Sequence, residues 1–165
     1  MHRLINAGVI DKSGRILDRD EVRLTSRPGY SPERTETPLS SQGRPKEVRI
    51  NQPDVRALQT AKSATRAGMA VLLEKAGISP GEVERVYVAG AFGAHLSPAA
   101  LKGIGLLDER WDEVRYVGDA ALEGAALALS GRKKEEAEEL AESARYVPLS
   151  GSPRFEREFI RNMGF

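Results

Sequence analysis

Apolar and polar positions change period several times along the chain, and glycine or proline marks most of the changes. Residues 85–88, Arg-Val-Tyr-Val, alternate at period two and predict a strand. The chain then turns glycine-rich, Ala89-Gly90-Ala91-Phe92-Gly93, and Ser97-Pro98 opens a helix that ends near Gly103 or Gly105. The same sequence of events recurs downstream. Residues 114–117 read as a second, buried strand, Gly118-Asp119 follow, and a helix over 120–129 stops at Gly131.

Upstream, residues 4–10 read as the end of a helix stopped at Gly8 with a hydrophobic exit. Asp11-Lys12-Ser13-Gly14 form a turn, and residues 15–17 are its partner segment. Residues 47–50 alternate as a short strand. Asn51 then caps a helix to Ala76, with Pro53 and Asp54 in its first turn and Gly77 beyond its end. Its apolar stripe is Val55, Leu58, Ala61, Ala64 or Thr65, Gly68, Leu72 and Leu73. Ser79-Pro80-Gly81-Glu82 is a capping box for a one-turn helix. The charged stretch 132–144 reads as an exposed helix with a narrow stripe at Ala137, Leu140, Ala141 and Ala144, and 145–149 as an edge strand. Ser152-Pro153 opens a last helix that buries Phe155, Phe159, Ile160 and Met163. Strands alternating with helices predict an α/β class, a mixed sheet flanked by helices.

Composition narrows the function. The 165 residues suit one domain, with residues 26–46, rich in proline, glycine and serine, as a flexible loop. Lys+Arg number 25 against 24 Asp+Glu, a net charge of +1, which argues against a nucleic-acid or polybasic membrane binder. No apolar run reaches the roughly 20 residues of a membrane span, and no signal-peptide pattern opens the chain, so a cytoplasmic location is expected. With no cysteine and only His2 and His95 as histidines, this chain offers no thiolate or histidine-rich metal site.

The candidate chemistry lies at the glycine turns. Gly90, Ala91, Phe92 and Gly93 follow a strand's carboxyl end, where open α/β sheets bind ligands, and their backbone amides would cradle a nucleotide. The plainer reading is a tight turn. Gly118 and Asp119 would place a carboxylate near a ribose or a cation, although Asp119 is more simply an N-cap. His95 reads as a loop hydrogen-bonder. Gln59 and Lys62, one turn apart, either face the cleft or form a solvated edge of the long helix, the commoner role. Neither the G-x-G-x-x-G fingerprint nor a P-loop is present.

Four strings in order, residues 54–62, 88–96, 104–107 and 117–125, resemble the carboxyl-terminal domain of the reductive activators of corrinoid proteins. The terminal Phe155, Phe159, Met163 and Phe165 pattern is also similar to that family's end. Asp119 and Pro53 depart from its usual residues. The resemblance covers nearly the whole chain. It implies one lobe of the acetate/sugar kinase–heat-shock chaperone–actin (ribonuclease H-like) fold, as the carboxyl-terminal piece of a longer protein. Val88 to Gly93, with Gly118 and Asp119 behind, would form the adenosine side of a nucleotide cleft. The candidate cofactor-binding set is Gly90, Ala91, Phe92, Gly93, Gly118, Asp119, Gln59 and Lys62.

For the parent, the resemblance implies ATP with Mg²⁺ bound across the cleft and a [2Fe-2S] cluster in its amino-terminal part. It also implies a corrinoid protein as partner, returned from Co(II) to Co(I) in a methyltransferase system. This fragment would be inactive alone. The alternatives are a lobe of a sugar-kinase-like phosphotransferase of the same superfold, and a non-catalytic interaction module holding a homodimer or a corrinoid protein.

Overall fold

The Asn51 side chain accepts from the Asp54 N–H at 3.0 Å while the Asp54 carboxylate accepts from the Asn51 N–H at 2.9 Å. This reciprocal cap starts α2, Gln52–Ala76, the element that joins the rest. The computed structural model describes residues 1–24, 48–90, 93 and 96–165. The expected loop over 26–46 and the first residue of the expected strand, Glu47, lie outside the described residues.

Before α2 come α1, His2–Asn6, and two strands, β1, Glu21–Leu24, and β2, Val48–Asn51. The strands pair antiparallel with Glu21 opposite Asn51 and Leu24 opposite Val48. Between α1 and β1, Ile10 bridges Ile16 around the Asp11–Gly14 turn. Ile10, Ile16, Val22 and Val55 form one buried cluster, with Leu4, Ile50 and Phe165 packed against it.

After α2 a short 3₁₀ turn, Pro80–Glu82, delivers the chain into β3, Arg85–Val88. The helix α3, Pro98–Gly103, returns it to β4, Glu113–Tyr116, which pairs parallel to β3 with Val88 opposite Tyr116. Leu101, Leu107 and Trp111 form a second buried cluster against Met69, Leu73, Val86 and Val114. Thus α2 contributes Val55 to one core and Met69 and Leu73 to the other. The last elements are α4, Ala120–Leu129, α5, Lys134–Ser143, and α6, Pro153–Arg161, which packs along α2.

The class is α/β, with the strands divided between one antiparallel and one parallel pair among the described residues. The edge of β1 was not anticipated, because four residues give too short an alternation to separate from a loop.

Several expectations are corrected. The buried face of α2 is Val55, Gln59, Lys62, Ser63, Ala67, Gly68 and Val71; Val55 and Gly68 belong to the expected stripe, whereas Leu72 is 51% exposed and Ala61 is exposed. Gln59 and Lys62 are therefore no solvated edge. The face is rotated because backbone carbonyls of distant segments meet these polar side chains. Gln59 donates to the Ser13 carbonyl, Lys62 to that of Gly164 and Ser63 to that of Phe159.

On α6, Phe155, Phe159 and Met163 are half-buried, but Ile160 is 73% exposed rather than buried, and Glu158 is buried in addition. Arg154 and Arg161, one turn to either side, pair with the Glu158 carboxylate at 3.2 and 3.8 Å and offset its burial. Residues 145–149 form no strand: Pro148 cannot donate to a ladder, and the Leu149 side chain lies over Gly68 of α2 instead. The second strand is half exposed rather than buried, and α4 buries no residue.

The loop between α3 and β4 is held by Asp108. Its carboxylate accepts from Arg110 Nε at 2.8 Å and Nη2 at 2.9 Å, and from Arg66 Nη2 at 3.3 Å. These bonds, Arg110 foremost, hold the Asp108 carboxyl well below its ordinary value of 3.8. The folded chain therefore binds this proton less readily than the unfolded chain. The resulting stability is complete above the ordinary value and is lost as pH falls through the folded value. We expect Asp108→Asn to cost about 1–3 kcal/mol at pH 7 and much less at pH 2. Urea midpoints of both chains at the two pH values check this, and an equal cost at both would refute it.

Candidate functional site

Two parallel strands end side by side in glycine. After Val88, Gly90 takes φ +93°, and after Tyr116 and Val117, Gly118 takes φ +75°. Both conformations lie in the left-handed region that side-chain-bearing residues rarely occupy. The turns are joined directly. Val117 N–H donates to the Val88 carbonyl at 3.0 Å and Gly90 N–H to the Gly118 carbonyl at 2.8 Å, continuing the β3–β4 ladder past both strands. Tyr116 Oη donates to the Gly90 carbonyl at 3.0 Å.

Among the described residues none would lie within 4 Å of a Cβ added at Gly90. At Gly93 the reason for glycine differs. A Cβ there would lie 2.9 Å from Val88 Cγ1 and 3.1 Å from Tyr116 Cε2, so this glycine serves packing inside the turn. The Gly93 N–H donates to the Gly90 carbonyl at 3.0 Å. Both described amides of the turn are thus used internally. What Gly90 and Gly93 themselves offer a ligand is backbone surface rather than a free amide. Ala91, Phe92 and His95 lie outside the described residues.

Asp119 caps α4, its carboxylate accepting from the Leu122 N–H at 3.4 Å, so the simpler of its two expected roles is realised. Glu123 Oε1 stands 3.3 Å from where a Cβ on Gly118 would be, which brings a carboxylate to the same turn. At the opposite end of the strand pair, Glu113 receives Arg85 at 2.9 Å and also Arg115, and its carboxyl is held below its ordinary value chiefly by Arg85.

The candidate residues therefore divide. Gly90, Gly93, Gly118 and Asp119 come together at the carboxyl ends of β3 and β4, the ligand-binding edge of parallel sheets. Gln59 and Lys62 belong elsewhere. Gln59 Nε2 donates to the Ser13 carbonyl at 3.0 Å while its Oε1 accepts from Arg56 at 2.7 Å. Lys62 reaches the Gly164 carbonyl, with its ammonium 5.2 Å from the centre of the Phe165 ring.

Tyr116 was missed by the sequence reading. Its position two residues before Gly118, on the strand that ends at the second glycine turn, was the available signal. Arg66 and Trp111 were also missed. The guanidinium lies 5.6 Å from the indole ring centre, an association that no local pattern encodes.

Among the described residues no group of three or more histidine, cysteine or carboxylate side chains could hold a metal. With no cysteine in the sequence, the donor set does not fit an iron–sulfur cluster. Among the described residues no helix is long and apolar enough to cross a membrane.

A family described as "C-terminal domain of RACo the ASKHA domain" matches residues 1–165. The chain is 35% identical over 124 residues to the corrinoid activation enzyme RamQ of Eubacterium limosum, across 73% of this chain and 21% of that protein. Its fold is similar to a solved "Reductive activator for corrinoid,iron-sulfur protein" with TM-score 0.75 and 30% identity, over 99% of this chain and 26% of that one. The chain thus spans about a quarter or less of the length of these relatives. The joined glycine turns at the ends of two parallel strands are read together with this match along all 165 residues: the chain belongs to the family of carboxyl-terminal ASKHA domains of the reductive activators of corrinoid proteins.

Proposed function

We propose that this chain is a single-domain lobe of an ATP-dependent reductive activase and supplies the adenosine side of its nucleotide cleft. The activase returns a corrinoid protein from Co(II) to Co(I). The observation that carries the reading is the pair of joined turns. Gly90 and Gly118 bring two main-chain segments to one open edge, and no side chain projects from either glycine. A flat base or ribose would pack there by close approach to backbone. The phosphate and Mg²⁺ contacts come from outside this chain, as do the ligands of the iron–sulfur cluster, so the lobe alone hydrolyses no ATP.

A lobe of a longer protein also accounts for α4. Leu122, Leu127 and Leu129 are 67%, 40% and 90% exposed on a helix that is apolar almost throughout. Such a face is covered in a longer architecture, and this chain spans about a quarter or less of its relatives' length. Closure of two lobes on nucleotide would then bias the environment of the bound corrinoid protein.

The test is isothermal titration of ATP and ADP with Mg²⁺ into this chain and into a full-length activase containing it. Tight binding by the longer protein and weak or absent binding by the lobe is expected. Gly90→Val in the longer protein is expected to weaken ADP at least tenfold, about 1.4 kcal/mol, with circular dichroism confirming the fold. Nucleotide bound by neither protein overturns the reading.

A further inference from the structure

Among the described residues, Lys62 is a buried cation without a counter-ion. Only 4% of it is exposed, and it sits on the inner face of α2. Its ammonium donates to one carbonyl, that of Gly164, and lies against the Phe165 ring. Asp108, which lines the same cavity, is already occupied by Arg110 and Arg66. A buried charge left in this state is costly unless something compensates it.

The surroundings supply no carboxylate to Lys62. Lys62 lines a cavity of about 810 Å³ between α2, the loop 103–110 and the turn after α6. Six of its lining side chains are cations and two are carboxylates; Arg66 and Arg110 share Asp108, Lys102 pairs with Asp112 at 3.6 Å and Arg161 with Glu158 at 3.8 Å, so among the described residues Lys12 and Lys62 are the lining cations with no ion pair. The second carboxylate is Glu109; Lys102, close by, donates to the Glu109 backbone carbonyl at 2.9 Å rather than to its side chain. The walls include neither the Gly90 nor the Gly118 turn, so this site is independent of the nucleotide cleft.

We propose that this cavity is an oxyanion site for a compact polyanion of the phosphate class, held by Lys62, Arg66 and Lys102. Several convergent cations select a multiply charged ligand, and lysine ammoniums act on phosphate oxygens as compact point charges. The volume lies in the range of small-ligand pockets, roughly 300–1,000 Å³. Burial, and then the Arg66 charge, hold the Lys62 pKa below its ordinary value, and a bound anion would raise it.

Trp111 reports on the site. It is the sole tryptophan, and Arg66, which lines the cavity, lies against its ring. Titrating pyrophosphate into the 165-residue chain at constant ionic strength is expected to change Trp111 emission saturably. Lys62→Met, which keeps the side-chain length and removes the charge, is expected to raise the dissociation constant at least tenfold. Lys102→Gln is expected to raise it about threefold, and it carries the test if Lys62→Met fails to fold. ADP and citrate complete the series. ADP binding no more tightly than pyrophosphate assigns the site to a free polyphosphate; ADP binding more tightly, and lost in Lys62→Met but kept in Gly90→Val, assigns it to a nucleotide held away from the glycine turns. Citrate binding as tightly as pyrophosphate overturns the phosphate class. A response reproduced by sodium chloride, or unchanged in Lys62→Met, overturns the site.

Discussion

Trp111→Ala is expected to cost about 3–5 kcal/mol, the largest loss from any single truncation in this chain. The indole is 4% exposed and lies at the centre of the cluster that joins α2, α3 and the β3–β4 pair. Its Nε1 donates to the Pro80 carbonyl at 2.8 Å, tying the loop before β4 to the turn before β3. Truncation leaves a cavity among Leu101, Leu107 and their neighbours, orphans the Pro80 carbonyl and frees Arg66. Trp111→Phe separates these effects. It fills most of the volume and loses the hydrogen bond, at a cost of about 1–2 kcal/mol. Urea unfolding of the three chains measures both. A loss below about 1 kcal/mol for Trp111→Ala would show that the strand pair is anchored elsewhere.

Gly14→Ala is expected to cost about 2–4 kcal/mol, out of proportion to a single added methyl. Gly14 closes the Asp11–Gly14 turn with φ +82°, where an alanine is strained in any surroundings. Here the surroundings are occupied. The new Cβ would overlap the side-chain amide of Gln59, which is fully buried and held by the Ser13 carbonyl and Arg56. Gln52 Nε2 also donates to the Gly14 carbonyl at 2.6 Å and its Oε1 accepts from the Ile16 N–H at 2.9 Å, so the turn cannot lift away without breaking a second latch.

A double-mutant cycle with Gln59→Ala exposes the clash. Removing the amide gives the methyl room, so the combined loss should fall short of the sum of the two by at least about 1 kcal/mol. Additive losses would place the cost of Gly14→Ala in backbone strain alone. Gly81→Ala is the control. Its Cβ meets nothing within 4 Å and its φ is ordinary, so it should change stability by less than about 0.5 kcal/mol.

The elements with strong local signals are legible in the amino-acid sequence alone. Asn51 and Asp54 exchange hydrogen bonds over three residues, and Gly77 stops the helix immediately beyond its last turn, so both ends of α2 follow from neighbouring residues. The same holds for the Ser79–Glu82 capping box, the Ser97 and Ser152 caps, and the alternation that makes β3. The ordered strings that resemble the corrinoid activators are likewise readable along the chain, and the family follows from them. The apolar stripe of α2 misleads for a complementary reason. Hydrophobicity alone ranks Leu72 above Gln59, and the Ser13 carbonyl that buries Gln59 lies 46 residues away.

Caps, turns and strand periods were determined by the sequence itself, because their energies come from atoms a few residues apart. The face of α2 that is buried was decided only by tertiary structure. Gln59, Lys62 and Ser63 find their acceptors 46, 102 and 96 residues away, and only the folded chain brings those carbonyls to them. The joining of Gly90 to Gly118, and the separation of Lys62 from both, were decided in the same way. Parallel pairing sets two distant turns side by side, while the last turn of the chain covers Lys62 in a different cavity.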